Sequence, residues 1–150
     1  MNMIYRVGAA LLLVAIGAVE ASVSAQQLAG LAGQPRLEGA GLALSAAGLV
    51  ASAAIYLALG HLAATDRAAL RTGALTGVVA GLIGGTVRAF IIGGVVADLV
   101  ARYAAVPDWF VPAALAVFVG LSSAASAAGG GALAWTGHRL SRAARSRPPA

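Results

Sequence analysis

The chain has 150 residues, 60% hydrophobic and 10% charged, with a net charge of +5 and a mean hydropathy of +0.89. A soluble domain carries about 25% charged residues, so composition excludes an ordinary water-soluble globule. At about 20 apolar residues per crossing, the length admits four or five membrane spans and no separate soluble domain. The absence of cysteine excludes disulfides and thiolate metal sites. The positive charge is accounted for by the basic excess on cytoplasmic segments of membrane proteins rather than by nucleic acid. Every basic residue is arginine, and with the abundant Ala and Gly this suits a GC-rich, bacterial genome.

The expected fold is an all-α, multi-pass transmembrane bundle, one membrane domain over 1–150, with spans near 5–25, 40–62, 72–100 and 109–135 and a basic cytoplasmic tail over 137–150. In the first segment Arg6 precedes an apolar run, Val7 to Val19, that ends in small residues around Val23 and Ala25. That pattern describes either a cleavable secretory signal or, with Glu20 tolerated inside it, a retained first helix long enough to span. The two readings give three or four spans.

Residues 26–39 carry Pro35, several glycines and the opposed charges Arg36 and Glu38, which predicts a hairpin loop. The second span follows, with Gly41, Ser45, Gly48, Ser52 and Gly60 as small contacts. His61 to Arg71 reads as a polar break in which Thr65 or Asp66 accepts backbone N–H groups at the start of the next helix. From Arg71 to Asp98 the third span covers about 40 Å against a hydrocarbon core of about 30 Å, so it must tilt or extend into the headgroups. Asp108 is the expected N-cap of the fourth span, with Pro112 in its first turn. That span holds Ser122, Ser126 and Gly130 at four-residue spacing.

With the N-terminus inside and four spans, Arg6, Arg67, Arg71, Arg139, Arg142, Arg145 and Arg147 fall on the cytoplasmic side, and only Arg36 and Arg102 fall outside. This imbalance places both termini in the cytoplasm. Tyr5 and Trp135 then lie at inner ends and Tyr103 and Trp109 at outer ends, the levels that amphipathic rings prefer. A faint echo at about 76 residues, Ile16-Gly17 with Ile92-Gly93 and Gly60-His61 with Gly137-His138, would suit a duplicated helical hairpin.

The third span has a small residue at every fourth position: Gly73, Gly77, Gly81, Gly85, Ala89, Gly93, Ala97 and Ala101. Such small-xxx-small lines let backbones approach closely. The ladder is expected to pack within the bundle or, alternatively, to mediate self-association through Gly73, Gly77, Gly81 and Gly85. A four-residue step advances about 400° on a helix, so the line drifts by about 40° each time. From this drift, two different neighbours are expected to share it.

Arg88 interrupts the ladder. An arginine deep in a span costs about 2.5 kcal/mol or more on insertion scales and faces a bundle interior or a wet cavity. Glu20 lies about 21 Å above Arg6, and Arg88 about 26 Å above Arg71, so their depths match within the reach of an arginine side chain. Glu20 and Arg88 are the expected intramembrane polar pair, as a register-fixing ion pair or as a station on a solute path. Asp98 falls near the outer headgroups, and His61 and His138 fall near the inner surface without carboxylate company. No catalytic, cofactor or metal motif is present.

The sequence therefore predicts a small integral membrane protein of the plasma membrane without enzymatic activity, cofactor, metal or nucleic-acid partner. Its expected partners are the bilayer and, through small-residue faces, a second copy or another membrane protein. The leading expectation is a packing scaffold or accessory subunit. The alternative is a small transporter or channel built on Glu20 and Arg88.

Overall fold

The computed structural model describes residues 3–31, 40–103 and 105–145. Runs of Ala, Leu, Val and Gly with no mid-helix proline form four helices: α1 (Met3–Leu31), α2 (Ala40–His61), α3 (Asp66–Tyr103) and α4 (Phe110–Arg145). No strand occurs among the described residues. Three helices are long and apolar enough to cross a membrane, over Ala43–His61, Asp66–Arg102 and Phe110–Arg145, and α1 adds a shorter apolar run, Val7–Val23.

The helix ends correct the sequence reading in three places. Gln26 to Leu31, expected in a loop, continues α1; Pro35, Arg36 and Glu38 lie outside the described residues. The polar break shrinks to Leu62–Thr65 because α3 begins at Asp66. The basic tail is helical as far as Arg145, and Arg147 lies outside the described residues. The cause is the same in the last two cases: Asp66 to Arg71 and Arg139 to Arg145 are built largely from Ala, Leu and Arg, which are strong helix formers even where they are polar.

Thr65 starts α3 as its cap, with Oγ1 accepting the Ala68 N–H at 3.1 Å. Asp108 does not do the same for α4. There the Pro107 carbonyl accepts the Phe110 N–H at 2.9 Å and the Trp109 carbonyl accepts the Ala113 N–H at 3.1 Å.

Neighbouring residues fix the helix directions. Val7 to Val14 lie beside Leu75 to Ile83 and Gly17 beside Arg88, so α1 and α3 run parallel. Tyr56 meets Gly130 and, one turn on, Gly60 meets Ala134, so α2 and α4 are also parallel. Glu20 and Ile16 meet Gly48 while Ala9 and Leu13 cluster with Tyr56 and Leu59, so α1 and α2 are antiparallel. Around the bundle the order is α1, α3, α4, α2; among the described residues α1 and α4 do not meet, and α2 approaches α3 across the short diagonal. The alternating directions bring the start of α1, the end of α2, the start of α3 and the end of α4 to one end, with Arg6, Arg67, Arg71, Arg139, Arg142 and Arg145.

The α3–α4 contact is the most extensive, and the glycine ladder makes it. A Cβ on Gly73 would overlap the Gly130 carbonyl, on Gly77 the Ser126 carbonyl and on Gly81 the Ser123 Cα. Further out, a Cβ on Gly85 would stand 3.4 Å from Val119 Cα and one on Gly93 3.1 Å from Leu115 Cδ1. One partner thus follows the line from Gly73 to Gly93, not two. Helix α4 can do so because it presents its own four-residue row, Ser122, Ser126, Gly130 and Ala134. Both rows drift in the same sense, so the helices keep contact by winding about each other.

Packing is inverted relative to a water-soluble protein. Most of the buried residues are small or polar, such as Ala21, Ala69, Ala134, Thr72, Thr76 and Ser123, and among the described residues no large side chain is fully buried. Large apolar groups point outward, with Phe90 85% exposed and Leu49 72%. Water would strongly disfavour such a surface, whereas lipid tails are as apolar as leucine and leave small-residue contacts to hold the helices. Outward-facing hydroxyls are satisfied locally: Thr86 donates to the Leu82 carbonyl at 2.7 Å and Thr136 to the Ala132 carbonyl at 2.9 Å.

The seam gives a direct expectation for stability. Gly77→Ala forces a methyl into the Ser126 backbone and is expected to cost about 1–3 kcal/mol. Gly120→Ala, whose Cβ would meet nothing within 4 Å, is expected to be neutral or stabilising. Thermal unfolding in detergent micelles followed by circular dichroism compares them; equal melting temperatures would contradict the close seam.

Candidate functional site

Arg88 stands about 26 Å along α3 from Arg71 and about 15 Å short of Asp98, so it lies well inside the apolar length of its helix. Two groups of α1 receive it. Its Nη2 forms an ion pair with Glu20 Oε2, and its Nε donates to the Gly17 carbonyl at 3.2 Å. The depth match inferred from chain position is thus a contact in the structure. The Arg88 side chain is 33% exposed and that of Glu20 19%.

Helix α2 makes room for the carboxylate. A Cβ on Gly48 would run into Glu20 Oε1 and stand 3.1 Å from Ile16 Cγ2. The third glycine near Arg88 has a different task from its neighbours. Gly81 and Gly85 lie against α4, whereas a Cβ on Gly84 would meet nothing within 4 Å even though the residue is buried.

Gly84 opens onto an interior cavity of about 200 Å³ lined by all four helices. Glu20 and Arg88 form its outer end, Tyr56 and Ser126 its inner end, and Ser52 and Ser122 add hydroxyls between them. From Ala80 to Arg88 this spans about 12 Å. The volume equals about seven waters at liquid density. A charged pair and several hydroxyls around a half-open space of this size can take up a small polar solute, or an ordered chain of waters along which a proton moves.

A second polar cluster lies at the basic end. Asp66, in the first turn of α3, holds Arg139 of α4 through Oδ2 and Nη2 at 2.6 Å, and Arg139 also lies 5.0 Å over the Trp135 ring. Asp66 Oδ1 is 3.3 Å from His138 Nε2, close but not aligned for a hydrogen bond; Oδ1 and His138 Nδ1 have none among the described residues. His138 therefore has carboxylate company after all, brought by a helix 72 positions away in sequence. His61 is exposed at the end of α2. Among the described residues no group of three or more His, Cys, Asp or Glu comes together to hold a metal ion.

Tyr56 is the cavity residue that sequence reasoning missed. It is 6% exposed, and its ring occupies the space that a Cβ on Gly130 would take. A tyrosine several residues inside an apolar span, away from the interface where such rings normally lie, was the available signal.

Removing one member of the Glu20–Arg88 pair leaves the other uncompensated, so Glu20→Gln and Arg88→Gln are each expected to destabilise by about 3 kcal/mol. The double variant is expected to recover about 1–3 kcal/mol relative to the sum. Unfolding in mixed micelles measures the cycle, and strict additivity would contradict the pair. No protein-family model, no curated protein and no solved structure matches the chain.

Proposed function

We propose that the chain is a small four-span protein of the plasma membrane, with both termini in the cytoplasm, that passes a small polar solute or protons through its interior using Glu20 and Arg88. The carrying observation is the cavity bounded by that ion pair and reached by all four helices. A buried ion pair can often be replaced as a whole by apolar residues without loss of stability, and intramembrane ionisable groups lie by default on substrate or proton paths. The reading keeps the non-enzymatic expectation drawn from the sequence, which carries no nucleophile-and-base motif.

Helix α1 is the fourth span in this reading. Its apolar run covers 17 residues, Val7–Val23, about 25 Å, and its docking to Arg88 supports retention rather than cleavage as a signal. The collected arginines at one end support a cytoplasmic orientation for that end. Sequencing the mature N-terminus tests retention; the expected start is Met1 or Asn2, and a start after Ala25 would remove Glu20 and the site with it.

A second reading, a packing scaffold or accessory subunit, is favoured by the way Glu20 and Arg88 satisfy each other. Flux separates the two. Purified protein in liposomes is expected to pass protons, read with an internal pH dye, or a small solute, read by osmotic swelling. Gly84→Leu fills the cavity without meeting a neighbour at Cβ and is expected to abolish flux while leaving helicity intact. Silence of the parent protein in both assays would overturn the transport reading in favour of the scaffold.

A further inference from the structure

The outer surface of the α1–α3 pair carries two cavities that share a residue. Between the helices runs an apolar groove of about 410 Å³, lined by Val7, Leu11 and Val14 on one side and Leu75, Val79 and Ile83 on the other. Leu75 also belongs to a second cavity of about 450 Å³, which is lined at the basic end by Arg67, Arg71 and Thr72. Arg71 stands about 6 Å along the helix from Leu75, roughly the distance over which a bilayer passes from headgroup phosphate to acyl chain.

The two cavities differ in chemistry as a lipid does. None of the groove's described lining residues is charged. The adjoining cavity presents two guanidinium groups, and its Arg67 also borders a larger cleft of about 850 Å³ with His138, Arg142 and Arg145. Among the described residues the only acidic one on that basic rim is Asp66, whose Oδ2 is held by Arg139. The rim therefore keeps a net positive charge toward an incoming anion, and guanidinium forks match phosphate oxygens.

We propose that this surface is a binding site for an anionic phospholipid of the cytoplasmic leaflet, with its phosphate on Arg67 and Arg71 and one acyl chain in the α1–α3 groove. The inference rests on α1 and α3 lying in a bilayer with their basic end at the headgroups, and it is independent of whether the interior cavity conducts. Basic pockets between helices at this level suit anionic headgroups, at roughly the strength of one favourable charge contact per arginine. Two such contacts correspond to about a thirtyfold preference over a zwitterionic lipid.

The test uses the full chain reconstituted into phosphatidylcholine vesicles with and without phosphatidylglycerol, then extracted in mild detergent, with retained lipid counted by native mass spectrometry. Phosphatidylglycerol is expected to be retained about thirtyfold above its share of the bilayer. Arg67→Gln with Arg71→Gln should lose most of that preference, Arg67→Lys with Arg71→Lys should keep much of it, and Ala10→Phe, which fills the groove, should lower retention of the whole lipid. Free glycerol phosphate at millimolar concentration should not displace it. Equal retention of the two lipids, an unchanged preference in the glutamine variant, or displacement by free glycerol phosphate would each overturn the site. Failure of the parent chain to enter phosphatidylcholine vesicles would instead overturn the membrane reading beneath it.

Discussion

The close approach of α3 and α4 is the constraint on which the remaining geometry depends. When Cβ atoms are absent from a row of positions, two backbones come near enough for dispersion contacts and a cross-helix hydrogen bond, Ser123 Oγ to the Val78 carbonyl at 3.2 Å, to replace the hydrophobic effect that lipid does not supply. The register of this seam sets what happens beyond it. At one end it carries Asp66 onto His138 and Arg139. Near the other it turns Gly84 away from α4 and leaves Arg88 directed toward α1.

An arginine so placed must be answered within the bundle. The structure answers it with a carboxylate and a backbone carbonyl, both from α1, so a charge on α3 decides where α1 docks. The ring order follows: α1 is held beside α3, α2 fits against α1 where Gly48 clears Glu20, and α2 meets α4 through the reciprocal contacts of Gly60 with Ala134 and Gly137 with Leu57. The four surfaces do not close fully at the centre because Gly84 lacks a side chain and Ser52, Ser122 and Ser126 are short. The cavity is what remains between a tight seam and a charged pair.

Much of this was legible in the chain. Four helices follow from apolar runs and the breaks between them, and the gathering of arginines at one end follows from the alternating directions of those helices; both are one-dimensional properties. The Glu20–Arg88 contact was also within reach, since two lone charges in hydrocarbon at matching depth have few alternatives. The ring order was not, because every helix has small residues on several faces and no pattern says which face meets which partner. The same ambiguity led to two expected neighbours for the glycine ladder where α4 alone follows it. Helix ends failed for another reason: Asp66 to Arg71 and Arg139 to Arg145 are polar enough to resemble loop in a search for apolar runs, yet their Ala, Leu and Arg content favours helix in water as well as at an interface.

Those extended ends connect the seam to the membrane surface. Helix α3 is 38 residues long, about 57 Å, which exceeds even the 40–45 Å of a bilayer with its headgroups, and α4 is nearly as long at 36 residues. At the arginine-rich end the two helices stay packed together beyond their apolar runs. Beyond Trp135 the contact changes from glycine against carbonyl to Asp66 against Arg139, the form of attachment suited to a solvent that screens charge and can hydrate backbone. One continuous pair of helices thus uses apolar surface with buried glycine along its apolar length and paired charge at its arginine-rich end, a division suited to lipid around the first and water around the second. The change falls near Trp135, whose ring lies beneath the Arg139 guanidinium and is of the amphipathic kind that suits a boundary between apolar and polar surroundings.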